Sequence, residues 1–125
     1  MKEARIPHSG AVPNSHQAKV PAEKLTQYLL EPLHLEGRNK ARVFKSALGF
    51  EQSDSAELAA AILAELPYYP VISSTEGVWG RKYEVVLPIT GKNKRVVDVM
   101  TVWIVRRETD FPSLVTSYVM KGQGE

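Results

Sequence analysis

The hydrophobic pattern changes period once along the chain, near Pro70. Before that point apolar residues recur at three- and four-residue spacing. Ala22, Leu25, Tyr28 and Leu29 form one such face, opened by Pro21 at a first helical position and ended by Glu31-Pro32. A second helix is predicted over residues 39–48, with Asn39 as N-cap and Ala41, Phe44, Ala47 and Leu48 turned inward. Gly49 supplies its C-terminal cap. A third starts at Asp54, where Glu57 three residues on resembles a capping box. Leu58, Ala61, Ile62 and Leu66 form its buried stripe, and Pro67 closes it.

After Pro70 alternation takes over. Strands are predicted over residues 71–75, 81–87, 95–106 and 114–119, with turns at Glu76-Gly77, within residues 88–94 and at Asp110-Phe111-Pro112. Helices first and strands afterwards predict an α+β fold, N-terminal helices packed on a C-terminal antiparallel sheet of about four strands. Residues 1–17, broken by Pro7 and Pro13, read as a flexible N-terminal arm in which His8 and His16 are solvated. Residues 18–120 read as a single domain, with a short edge strand at Ala18-Lys19-Val20, and residues 121–125 as a frayed tail.

Alternation also sorts side chains between faces. Val97, Val99, Thr101, Trp103 and Val105 share one side of the long strand; Met100, Val102 and Ile104 share the other. Met100, Val102 and Ile104, with Val115 and Val119, are the more uniformly aliphatic choice for packing under the helices. That choice turns Thr101, Trp103, Thr116 and Tyr118, joined by Lys82, towards an open face able to stack bases and hold phosphate. The usual burial of tryptophan argues against it for Trp103, and all four residue types are also ordinary strand formers.

Composition narrows the chemistry. The chain has 125 residues, 43% hydrophobic and 24% charged, so a single folded domain is expected and wholesale disorder is not. A net charge of +2 is too small to imply nucleic-acid binding unless the cations cluster. The absence of cysteine removes disulfides, thiolate metal sites and cysteine nucleophiles. Three irregularly spaced histidines and scattered carboxylates give no metal-ligand set, and no Gly-x-Ser-x-Gly elbow is present. No metal and no cofactor are therefore expected. Gly77-Val78-Trp79-Gly80 is too sparse for a phosphate-gripping glycine loop. No apolar run approaches a membrane span and no secretory core follows Met1-Lys2-Glu3-Ala4-Arg5, so a cytoplasmic protein without membrane contact is expected. Oligomeric state is left open.

One stretch stands out as candidate chemistry. His34 lies just ahead of the second helix, followed by Gly37, Arg38, Asn39, Lys40 and Arg42. Cations in a first helical turn oppose the helix dipole, which an anion at the same place would offset. The stretch also reads as an ordinary loop-to-helix junction with solvated basic side chains. A metal-free set of one histidine, amines and hydroxyls suits RNA cleavage by internal attack of the 2′-hydroxyl. That reaction needs a base, an acid and cations around the phosphate.

The segments Pro13-Asn14, Lys24-Leu25-Thr26-Gln27-Tyr28-Leu29-Leu30, His34-Leu35-Glu36-Gly37-Arg38-Asn39-Lys40-Ala41 and Gly49-Phe50 resemble an uncharacterised bacterial domain family. So do Gly80-Arg81-Lys82-Tyr83, Thr101-Val102-Trp103-Ile104 and Leu114-Val115-Thr116-Ser117-Tyr118. Members of that family occur alone or at the C-termini of polymorphic toxins and exoproteins, and the likeness spans residues 13–118. The family's layout is similar to the superfamily joining barnase, EndoU, colicin and RelE-type ribonucleases. The resemblance implies a metal-independent ribonuclease-like toxin domain, with RNA as substrate and a neutralising antitoxin or immunity protein as partner. Carried over, His34 is the acid or base, Lys40 and Lys82 hold phosphate, and Thr101 or Thr116 positions the scissile group. Arg38, Arg42, Trp103 and Tyr118 support binding. Two departures stand: Val119 follows Tyr118 where the family has proline, and no second histidine lies in the folded region. The alternative is a non-catalytic module that binds protein or nucleic acid through the sheet face around Trp103.

Overall fold

In the computed structural model, which describes residues 5–21 and 38–120, two α-helices precede a four-stranded sheet. The side chains of residues 38–41 fall outside that description, as do residues 22–37, which hold His34 and the rest of the helix expected to open at Pro21. Helix α1 spans Arg38–Leu48 and helix α2 spans Ser55–Glu65. Strands β1 (Ser73–Glu76), β2 (Gly80–Thr90), β3 (Val96–Arg106) and β4 (Ser113–Val119) form an antiparallel meander in the order β1-β2-β3-β4. The class is α+β, with its two described helices in the middle of the chain.

Each helix forms for a local reason. Phe44, Ala47 and Leu48 of α1 are fully buried, at the spacing expected for one helical face. Gly49 then ends the helix with φ 78°, its N–H donating to the Lys45 carbonyl at 2.9 Å. A left-handed residue at that point is what glycine adopts without a Cβ penalty. Leu58 and Ile62 are the buried stripe of α2, continued by Leu66 in a short 3-10 turn that contains Pro67. The cap of α2 departs from expectation. Asp54 pairs with Glu51 rather than Glu57, accepting the Glu51 N–H at 2.9 Å in a reciprocal box around the 3-10 turn Gln52–Asp54. Its second carboxylate oxygen accepts from Lys92 Nζ at 2.9 Å, tying the start of α2 to the β2–β3 turn.

The core lies between the helices and one face of the sheet. Val85, Leu87 and Ile89 of β2 sit opposite Thr101, Val99 and Val97 of β3, and Ser117 and Val119 of β4 complete the layer. Each fully buried large side chain there contributes about 1.5–3 kcal/mol. Phe44, Leu58, Ile62 and Trp103 are among the largest. The face choice made from the sequence is therefore reversed in β3, whereas in β4 Val119 lies inward and Thr116 and Tyr118 outward as expected. Trp103 and Thr101 point under the helices, whereas Met100, Val102 and Ile104 lie on the outer face. Met100 and Ile104 are themselves nearly buried there, as expected for the third strand of four.

Strand β2 runs three residues beyond its predicted end, through Pro88. The Glu84 carbonyl points towards β1 and accepts the Ile72 N–H. Backbone groups two and four residues on point the same way in an antiparallel strand. Pro88 thus lacks its N–H on the side where β1, paired only as far as Glu84, has ended.

Residues 5–20, expected up to residue 17 as a free arm, lie against the body. Val12 is buried in the core, the His8 N–H donates to the Pro67 carbonyl, and Arg5 pairs with Glu65 at 2.9 Å. The edge strand expected at 18–20 is reduced to a parallel bridge between Lys19 and Ser113.

Candidate functional site

The outer face of the sheet carries the exposed chemistry. Register places Lys82 of β2 opposite Ile104, and on the same face Thr116 and Tyr118 of β4 opposite Val102 and Met100. Lys82 is exposed, Thr116 half-buried and Tyr118 39% exposed. Two strand spacings and two residues along the strand separate Lys82 from Thr116, roughly 12 Å between Cα atoms.

A bulge in β4 shapes this face. Val102 is paired with Thr116 but Trp103 with Leu114, leaving Val115 as the extra residue. Beside it opens a cleft of about 310 Å3 lined by Trp79, Lys82, Ile104, Arg106, Leu114 and Val115. Its floor is aliphatic and its rim carries two cations and an indole. Among the described residues no carboxylate pairs with Lys82 or Arg106.

The loop that presents Trp79 is held in place from several sides. Gly77 N–H donates to the Gly80 carbonyl, closing the β1–β2 connection. Arg107, in the β3–β4 connection, donates through Nε to the Val78 carbonyl at 2.9 Å and through Nη2 to the Gly77 carbonyl at 2.7 Å. The same guanidinium pairs with Glu76 at 2.9 Å, and the Arg107 N–H donates to the Trp79 carbonyl. Gly80 has φ 147°, and a Cβ there would lie 2.2 Å from the Val105 carbonyl oxygen, so only glycine lets the loop close against β3. Val78 and Trp79 are left 79% and 75% exposed at the tip.

Thr101 and Trp103, expected at an open face, are both completely buried. The Trp103 indole Nε1–H donates to Thr101 Oγ1 at 2.8 Å, and the Thr101 hydroxyl donates to the Val85 carbonyl at 2.8 Å. Both polar groups are consumed internally, and the face expected around Trp103 is core. The cross-strand neighbour Ser117 is buried too, and its hydroxyl finds no partner among the described residues. Arg42 is exposed on α1, while His34 and the side chains of Arg38 and Lys40 lie outside the described residues. Sequence reasoning missed Trp79 and Arg106. The available signal was a large aromatic between two turn glycines, where burial is least expected.

Among the described residues, the one pair of an acid and a lysine with clear shifts lies elsewhere. The Glu51 N–H and the Lys92 ammonium hold the Asp54 carboxyl below its ordinary range, and Asp54 in turn raises Lys92. Among the described residues, no three His, Cys, Asp or Glu side chains come together as a metal site, and no helix is long and apolar enough to cross a membrane.

Comparison with known proteins adds three findings. No curated protein matches the chain. A chain of the solved "Contact-dependent growth inhibition toxin - immunity protein complex from Klebsiella pneumoniae 342" is similar in fold, with a TM-score of 0.65 at 14% identity over 82% of this chain and 93% of that chain. Residues 11–121 match the family described as "Domain of unknown function (DUF6883)", and the chain belongs to that family.

Proposed function

We propose that the domain is a toxin-type module that cleaves RNA without a metal, working on the outer face of its sheet. The observation that carries this reading is the cleft whose two rim cations, Lys82 and Arg106, have no described counter-charge. A domain of net charge +2 gathers there the positive potential that a phosphate chain requires. The fold likeness to a chain of a toxin–immunity complex adds the context, and with it an immunity protein as neutralising partner. An inhibitor presenting carboxylates to this cleft would match it electrostatically.

In this reading His34 takes the proton of a 2′-hydroxyl, which attacks the adjacent phosphorus. The P–O5′ bond breaks, the 5′-oxygen leaves with a proton from a lysine ammonium, and a 2′,3′-cyclic phosphate remains. Lys82 and Arg106 stabilise the charge on the phosphate, while Arg38, Lys40 and Arg42, carried by α1 on the helix side of the sheet, add a more distant field. Thr116 and Tyr118 position the strand on the outer face. Thr101 has no part in the step, since its hydroxyl is committed to Val85 and Trp103.

Incubating the purified domain with labelled RNA in excess chelator tests the reading. Cleavage is expected, and His34→Ala should lower its rate about 10²–10⁴-fold. Intact RNA with the wild-type domain, or equal cleavage by His34→Ala, would remove the nuclease. Induced expression in bacteria separates the two members of such a pair. Growth arrest fits the toxic member, whereas harmless expression that rescues cells from a second protein fits the neutralising one.

A further inference from the structure

We infer that the Trp79 loop is a base-stacking subsite for single-stranded RNA, in which one unpaired base lies on the indole while Lys82 and Arg106 hold its flanking phosphate. The inference rests on the RNA-directed reading above and supplies what that reading lacks, a preference for unpaired strands.

Three features point to it. First, Trp79 is 75% exposed, although an indole gains most from burial and Trp103 in the same domain is fully buried. Second, the backbone beneath it is fixed. Arg107 is spent on the Gly77 and Val78 carbonyls, on Glu76 and, through its own N–H, on the Trp79 carbonyl. A loop held this firmly presents its ring at little ordering penalty when a ligand arrives. Third, Trp79 shares its cleft with Lys82 and Arg106, and register places these two around Gly80 and Ile104 on one face of the β2–β3 pair.

An indole beside two cations matches the two parts of a nucleotide. Stacking accepts any base, and the cations track the backbone, which is the recurrent design of single-strand binding surfaces. A duplex hides its base faces and has none to offer the ring. The cleft, about 310 Å3, is at the small end of ligand sites and suits one nucleotide unit. Ile104 and Val115 give the sugar and base edge an apolar seat.

The test uses a labelled 2′-O-methyl oligonucleotide of about 10 nucleotides, which cannot be cleaved, and the same strand annealed to its complement. The single strand should bind more tightly than the duplex and quench tryptophan emission. In Trp79→Phe the residual emission, from buried Trp103, should not respond. Trp79→Ala should weaken binding about 5–150-fold, and Trp79→Phe less. Lys82→Ala and Arg106→Ala should each weaken it and lower the salt slope by about 0.7. Trp79 is at a solvent-exposed tip, and unchanged Trp103 emission verifies that the variants fold.

No binding by the wild-type domain, equal affinity for duplex, or wild-type affinity in Trp79→Ala would overturn the subsite. So would tight binding of polyglutamate in place of the oligonucleotide, which would identify an acidic polypeptide as the occupant. The nuclease is judged separately. Trp79-dependent binding without cleavage of natural RNA keeps the subsite and removes the nuclease, while cleavage with Trp79-independent affinity does the reverse.

Discussion

Thr101 and Trp103, two positions apart on the same side of β3, meet through one hydrogen bond in the core. Valine has the shape of threonine but no hydroxyl, so Thr101→Val leaves the indole N–H without its acceptor. A buried donor without an acceptor costs about 1–3 kcal/mol, and the urea midpoint should fall accordingly. Activity per folded molecule should stay at the wild-type level, because the hydroxyl never reaches solvent. A variant of full stability and abolished cleavage would return Thr101 to the site. The sequence alone could not make this distinction. Alternation separates Thr101 and Trp103 from Met100, Val102 and Ile104, but it does not say which set lies under the helices. The deciding information is in the neighbouring strand: Val85, Leu87 and Ile89 form an unbroken aliphatic row, and antiparallel register sets them opposite Thr101, Val99 and Val97.

Among the elements, the junction between α2 and the β2–β3 turn depends on charge. Asp54 is nearly buried and accepts from the Glu51 N–H and from Lys92. Its pKa is depressed in the fold, so its contribution is complete above the ordinary carboxylate range. It disappears as pH falls through the lowered value. Lys92 is shifted upward, so its share is complete below the ordinary lysine range and is lost only as pH rises through the raised value. Asp54→Asn should therefore be less stable than wild type at pH 7, with the gap closing below about pH 4. Urea midpoints of both proteins from pH 7 to pH 2 measure this, and a constant gap would rule the pair out as its source. Most elements were legible because each carries a local signature: the stripe Leu58, Ile62 and Leu66, the left-handed Gly49, and alternation through β3. The end of β2 was not, because Pro88 reads as a turn until one knows that β1 stops opposite Glu84. Asp54 was misread for a similar reason, since Glu51 and Glu57 lie at equal spacing on either side of it.

Across the whole molecule, the sheet divides the candidate residues. Thr101 and Trp103 lie on the helix side; Lys82, Thr116, Tyr118, Arg106 and Trp79 lie on or beside the other. Helix α1 packs on β3 and β4, and β4 is the strand that carries Thr116. His34 precedes Arg38, the first residue of α1, by four residues, a chain length that spans at most about 14 Å. The proposed reaction therefore requires that short length to bring the imidazole past the β4 side of the sheet and onto its outer face. A double-mutant cycle between His34→Ala and Lys82→Ala measures whether it does. Groups that act on one phosphate lose their effects jointly, so the combined fall in kcat/KM should be smaller than the product of the single losses by about tenfold. Groups that act at separate places lose them independently. Losses that simply multiply would put His34 and Lys82 at different sites, and the cleft beside Trp79 would then bind RNA without being where it is cut.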